Sequence, residues 1–133
     1  MRMLFVNVPV RDLPRARGFY EALGFSVHEQ FSDDGSAAVN LDENIVLMLH
    51  TQDRFADHVP GQVGDPADTT TVVNRLVVAE KREVDELVEK ALGAGGREWM
   101  PTREVGTTYT GSFADPDGNA WEITWFDQVS VVN

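Results

Sequence analysis

The chain has 133 residues, a formal net charge of −11 and 42% hydrophobic residues, enough for one core. That size implies a single domain or two small fused modules. The negative charge argues against nucleic acid and anionic lipid surfaces as partners. The absence of cysteine excludes disulfides, thiol catalysis and Cys-ligated zinc. No apolar run is long enough to cross a bilayer. Met1-Arg-Met-Leu-Phe-Val enters a strand pattern without the apolar region of a signal peptide, so a cytoplasmic location is expected.

Leu4 to Val10 is an apolar, β-branched run that reads as a strand. Asp12 is placed as a helix N-cap, with Pro14 in the first turn. Ala16, Phe19, Tyr20 and Leu23 recur at helical spacing up to the terminating Gly24. Strands are expected over Phe25–Phe31, Ala37–Leu41 and Ile45–His50, with turns at Asp33-Asp-Gly35 and Asp42-Glu-Asn44. Residues from Thr51 to about Thr70 carry Pro60, Gly61, Gly64 and Pro66 and read as a linker, long enough to suggest a lid or mobile segment.

The second half repeats this order. Thr71 to Val78 reads as a strand; Val84, Leu87, Val88, Ala91 and Leu92 mark an amphipathic helix ending at Gly93-Ala-Gly-Gly96. Arg97–Met100 is a predicted strand, and Tyr109–Phe113 with Ala120–Phe126 forms a hairpin about Asp115-Pro-Asp-Gly118. Glu21-Ala-Leu-Gly24 and Lys90-Ala-Leu-Gly93 occupy equivalent places. The predicted fold is α+β: two tandem βαβββ modules, about 1–52 and 71–133, forming a cupped eight-stranded mixed sheet with helices outside. A cavity at the repeat interface is a natural small-molecule site. Exposed sheet edges and three Trp point to a homodimer.

The candidate chemistry centres on Glu122, a lone carboxylate between Trp121 and Ile123. Burial would raise its pKa and suit proton transfer. His50 has the strand phase of Val46 and Met48 and reads as a satisfied or exposed histidine; His28 and His58 lack metal-ligand spacing. The acidic set Glu80, Glu83, Asp85, Glu86 and Glu89 reads as a solvated helix face. No Ser-His-Asp constellation, phosphate loop or nucleotide fingerprint is present.

Val8-Pro-Val-Arg-Asp-Leu13, Gly18-Phe-Tyr-Glu-Ala-Leu-Gly-Phe25, Val84-Asp-Glu-Leu-Val88, Ala94-Gly-Gly96 and Phe113-Ala-Asp-Pro-Asp-Gly-Asn-Ala-Trp-Glu122 follow in an order and spacing that resemble the vicinal-oxygen-chelate superfamily, the glyoxalase/bleomycin-resistance/dioxygenase family. The likeness spans the chain. With Asn7-Val-Pro-Val10 it extends to an uncharacterised branch labelled predicted lactoylglutathione lyase or extradiol dioxygenase. It implies one divalent metal in the cup, held by His, Glu or Gln. Carried over, the ligand places fall on Phe5, about Leu47, Asn74 and Glu122, the third by the offset between Gly24 and Gly93. Only Glu122 is an ordinary ligand, so no metal or other cofactor is expected.

Three functions compete. One is a metal-dependent lyase or extradiol-type dioxygenase. Another is a metal-free binder of a small, aromatic ligand, like the family's drug-sequestering proteins. The last is a metal-free enzyme with Glu122 as its catalytic group. The second is preferred, with Phe5, Asn7, Leu49, Asn74, Tyr109 and Glu122 lining the cup. No Arg or Lys is evident on that inferred surface, which disfavours anionic ligands.

Overall fold

A computed structural model describes residues 1–127. They fall into two compact units, Met1–Asp65 and one beginning at Pro66.

In the first unit, β1 (Leu4–Val10) leads into α1 (Leu13–Ala22). Asp12 caps that helix as expected, accepting a hydrogen bond from the Arg15 backbone N–H at 3.0 Å. The chain leaves through Gly24 at φ 103°, a left-handed conformation that glycine adopts without steric cost. β2 (Ser26–Val27), β3 (Ser36–Asp42) and β4 (Ile45–Thr51) follow, then a short helix α2 (Gln52–Ala56) at the start of the expected linker. Strand order is β1-β4-β3-β2, with β1 and β4 parallel and the other pairs antiparallel.

The expected strand over Phe25–Phe31 needs correction. Only Ser26 and Val27 pair with β3, and Glu29–Phe31 is a single 3₁₀ turn. Ser32 redirects the chain: its hydroxyl donates to the His28 carbonyl at 2.8 Å and accepts from the Ala38 N–H at 3.0 Å. That local side-chain bonding displaces the strand ladder.

The second unit runs β5 (Val73–Val77), α3 (Lys81–Gly93), β6 (Arg97–Glu98), β7 (Arg103–Val105), β8 (Thr108–Ala114) and β9 (Ala120–Phe126). Its sheet order is β5-β9-β8-β6, with β7 on β8 and β5 parallel to β9. The α+β class and the repeated βαβββ order hold, the strands forming a four-stranded and a five-stranded mixed sheet. β7 is an addition to that order. The hairpin turn is built on Asp115, whose carboxylate accepts from the backbone N–H groups of Asp117 (3.0 Å) and Asn119 (2.8 Å). Gly118 sits there at φ 98°, and a Cβ on it would lie 2.6 Å from the Ala67 backbone.

Each sheet has one face turned to its long helix. In the first unit that face carries Val8, Val10, Ala37, Val39, Leu47 and Leu49, all buried, and α1 packs across β3 and β4 with Leu13, Ala16, Phe19 and Tyr20 inward. In the second, a Cβ on Gly111 would lie 2.9 Å from Val88 and 3.1 Å from Val84, so the residues in phase with Gly111 face α3. The opposite face of the first sheet carries the exposed Phe5 and Asn7 beside the buried Ser36, Ala38, Val46 and His50, and the opposite face of the second carries Glu122.

Candidate functional site

Cross-strand register decides which candidate residues can meet, because residues paired across a sheet share a face and neighbours in sequence do not. Phe5 pairs with Val46, and Asn7 with Met48, so both lie on the face of β1 and β4 opposite α1. Leu49 pairs with Val8 and Ala37. It is fully buried on the helix side and does not join Phe5 and Asn7.

In the second unit Glu122 pairs with Arg75 and Ser112. Asn74 pairs with Trp121, and Tyr109 with Trp125. Trp121 and Trp125 alternate with Glu122, so Asn74 and Tyr109 belong to the face that meets α3. The Tyr109 hydroxyl donates to Asp85 of α3 at 2.7 Å, and that carboxylate pushes the phenol pKa up to about 12. The expected set thus divides: Phe5 and Asn7 on one open face, Glu122 on the other, and Leu49, Asn74 and Tyr109 turned toward helices.

The slip at Asn74 has a simple origin. The offset between Gly24 and Gly93 assumed that both close a helix. Gly93 is instead the last residue of α3, which has 13 residues against 10 in α1, so an offset taken at the helix C-termini does not carry over to the strands that precede the helices. An offset taken instead between the N-caps Asp12 and Glu80 is one residue shorter and carries Asn7 onto Arg75.

Around Glu122 the charge also differs from expectation. Arg75 donates to Oε1 through Nη2 at 2.9 Å and Nε at 3.1 Å, and Arg103 donates to Oε2 through Nη2 at 3.1 Å. The carboxylate is 16% exposed, while the two guanidinium side chains are 45% and 44% exposed. The open face around Glu122 therefore carries two arginines, correcting the expectation of none. Burial pushes the Glu122 pKa up, as anticipated, but the hydrogen bonds and charges of Arg75 and Arg103 outweigh it and hold the carboxyl below its ordinary value. The raised pKa that would suit proton transfer is not found.

The first unit holds a different cluster on its open face. His50, 4% exposed, pairs with Ser36 across the strands. His50 Nδ1 lies 2.7 Å from Ser36 Oγ, and Nε2 lies 2.8 Å from Asn7 Oδ1. Arg54 donates to Ser36 Oγ at 3.2 Å and pairs with Asp33. Arginine can only donate, so the Ser36 proton is directed to Nδ1, and Nε2 carries the ring hydrogen toward Asn7. Burial above all, with the charges of His58 and Arg54, lowers the His50 pKa and favours this neutral ring. His58 packs against it with the rings tilted by 42° and their centroids 4.8 Å apart. The reading of His50 as satisfied holds; its partner Ser36, and Arg54 behind Ser36, gave no motif in the sequence.

The divalent metal implied by the family resemblance does not fit these residues. Phe5 offers no donor, Leu47 is buried on the α1 face, Asn74 lies on the α3 face, and both Glu122 oxygens are bonded to guanidinium groups. Among the described residues no group of three or more His, Cys, Asp or Glu is placed to hold a metal ion.

The fold has many relatives of known structure. A hypothetical protein from S. aureus is 23% identical, with 94% of each chain covered and a TM-score of 0.79. A glyoxalase-related enzyme from Fulvimarina pelagi is also 23% identical, covering 94% of this chain and 88% of its own, with a TM-score of 0.79. A glyoxalase/bleomycin resistance protein/dioxygenase family enzyme from Burkholderia phytofirmans PsJN is 19% identical over 95% and 99% of the two chains, with a TM-score of 0.77. At these identities the likeness establishes the fold alone. No curated protein sequence matches the chain. The family model for the Glyoxalase/Bleomycin resistance protein/Dioxygenase superfamily matches residues 2–123, and the chain belongs to that superfamily.

Proposed function

We propose that this protein binds a small, aromatic ligand without the superfamily's full metal site, using the open face of the second unit around Glu122. One observation carries the reading: both oxygens of the Glu122 carboxylate are engaged by Arg75 and Arg103. Two cations already neutralise and flank this carboxylate and would repel a third, and a metal needs a further donor set that these residues do not supply. Glu122 serves to hold the two guanidinium groups rather than to move a proton, since a general base works best with a pKa near the operating pH.

Titration calorimetry and a thermal-shift panel test the reading together. Zn²⁺, Ni²⁺ and Fe²⁺ should show no micromolar site. A small aromatic compound at a hundred times its Kd should stabilise the fold by about 2.7 kcal/mol. One tightly bound metal per chain, lost in Glu122→Ala, would overturn it. The proposal includes a homodimer, expected from light scattering at twice the 14.8 kDa chain mass. No described helix is long and apolar enough to cross a membrane.

A further inference from the structure

We infer that Arg75 and Arg103 form an anion site on the open face of the second unit, taking a small organic acid whose carboxylate docks on the two guanidinium groups beside Glu122. The inference rests on the ligand-binding reading and adds the ligand's charge and shape.

The first ground is charge. Two guanidinium groups meet one carboxylate, so the cluster keeps one net positive charge. Glu122 uses only Nε and Nη2 of Arg75 and Nη2 of Arg103. The remaining N–H groups belong to side chains nearly half exposed. Guanidinium presents a planar fork of donors that matches a carboxylate in bidentate geometry, and a fork already anchored at one edge loses less freedom on binding.

The second ground is position. Arg103 pairs with Thr110, which pairs with Thr124; Arg75 pairs with Glu122, which pairs with Ser112. Both arginines therefore stand on one face although they come from β7 and β5, on either side of the β8–β9 hairpin. The face is polar at its centre, with Ser112, Thr110, Thr124 and Glu122 all short or tied down.

The third ground is the apolar margin. Val73 and Val77 flank Arg75 on the same face of β5, at 42% and 55% exposure, and Val105 is in phase with Arg103 at 67%. Exposed aliphatic side chains beside a fixed cation suit a ligand with an apolar or aromatic body and an acidic head. Glu122 sets the orientation of the pair and also competes with the ligand for it, so its charge tunes affinity downward.

The test uses the full chain and three probes of one shape: benzoate, benzamide and benzylamine. Calorimetry at low ionic strength should show benzoate binding at least tenfold more tightly than the other two, weakening as salt is added. Arg75→Met and Arg103→Met should each weaken benzoate at least tenfold, and Arg103→Lys should restore part of the loss. Glu122→Gln should tighten benzoate by several-fold. Circular dichroism checks that each variant is folded, and two independent arginine variants keep the test decisive if one is not. Benzamide or benzylamine binding as well as benzoate would overturn the anion site and leave ligand binding standing. Benzoate affinity unchanged in both Met variants would overturn it too. No probe binding at all would remove both.

Discussion

The two units share an element order and a polar cluster on the sheet face opposite the long helix, yet the two clusters differ in kind. In the first, Ser36 and His50 are 5% and 4% exposed, and the cluster they make with Asn7 is tied by short hydrogen bonds around a neutral ring. In the second, Glu122 and its two arginines are charged, and the arginines stay open to solvent. Buried polar groups are costly when unpaired, so the first cluster fixes structure. Half-exposed charge pairs contribute little to stability, so the second leaves its electrostatics available for a ligand. A duplicated scaffold can therefore bury and satisfy the polar cluster of one half while the charges of the other stay in reach of solvent.

The largest test of that contrast is His50→Ala. It leaves Ser36 and Asn7 without their partner and opens a cavity, which should cost about 2–4 kcal/mol in urea denaturation. Glu122→Gln should cost only about 0.5–1 kcal/mol, because the pair it weakens is partly solvated. Equal losses at the two sites would erase the distinction.

Acid should separate the sites by pH. The His50 pKa lies below 6.5 in the folded chain, so its contribution is complete above 6.5 and falls as pH drops from there through the folded value. The Glu122 pKa is lowered from 4.5, so its contribution is complete above 4.5 and is lost as pH falls through the lower folded value. Urea midpoints measured from pH 8 to pH 3 should show two steps in the wild type. His50→Gln should remove the upper step and Glu122→Gln should shrink the lower one, to which Glu29 and Asp33, both lowered by their hydrogen bonds, also contribute.

The smallest expected effect is at Tyr109. Tyr109→Phe loses one partly exposed hydrogen bond to Asp85, about 0.5–1 kcal/mol. It should leave benzoate affinity unchanged, because Tyr109 lies on the face that meets α3. Ultraviolet titration should find one tyrosine ionising near 12 in the wild type and missing from the variant. A change in benzoate affinity would show that the two faces are coupled.

Much of the fold was legible because its signals are local. The Asp12 cap, the helical spacing of Ala16, Phe19 and Tyr20, and the Asp-Pro-Asp-Gly turn each carry their own physical reason. β7 was not legible: Arg103-Glu-Val is short, exposed and without alternation. The Phe25–Phe31 run was overread because Ser32 bonds the backbone that a strand would have used. The site suffered from parity. Glu122 was found, but Arg75, next to the chosen Asn74, was missed because a one-residue error in the repeat offset moves every side chain to the other face. Arg103 and Arg54 meet Glu122 and Ser36 only through tertiary pairing, which no spacing in the chain encodes.

The parallel pairing of β1 with β4, and of β5 with β9, has a consequence for how the chain is made. Leu4 must wait for Ile45, and Val73 for Ala120, before either ladder can form. Such distant pairings slow folding, because a loop must close before its contacts are gained. During synthesis the first unit can close its sheet once β4 has left the ribosome. The second stays open until β9 emerges, and until then the arginines that will meet Glu122 are without that counter-charge.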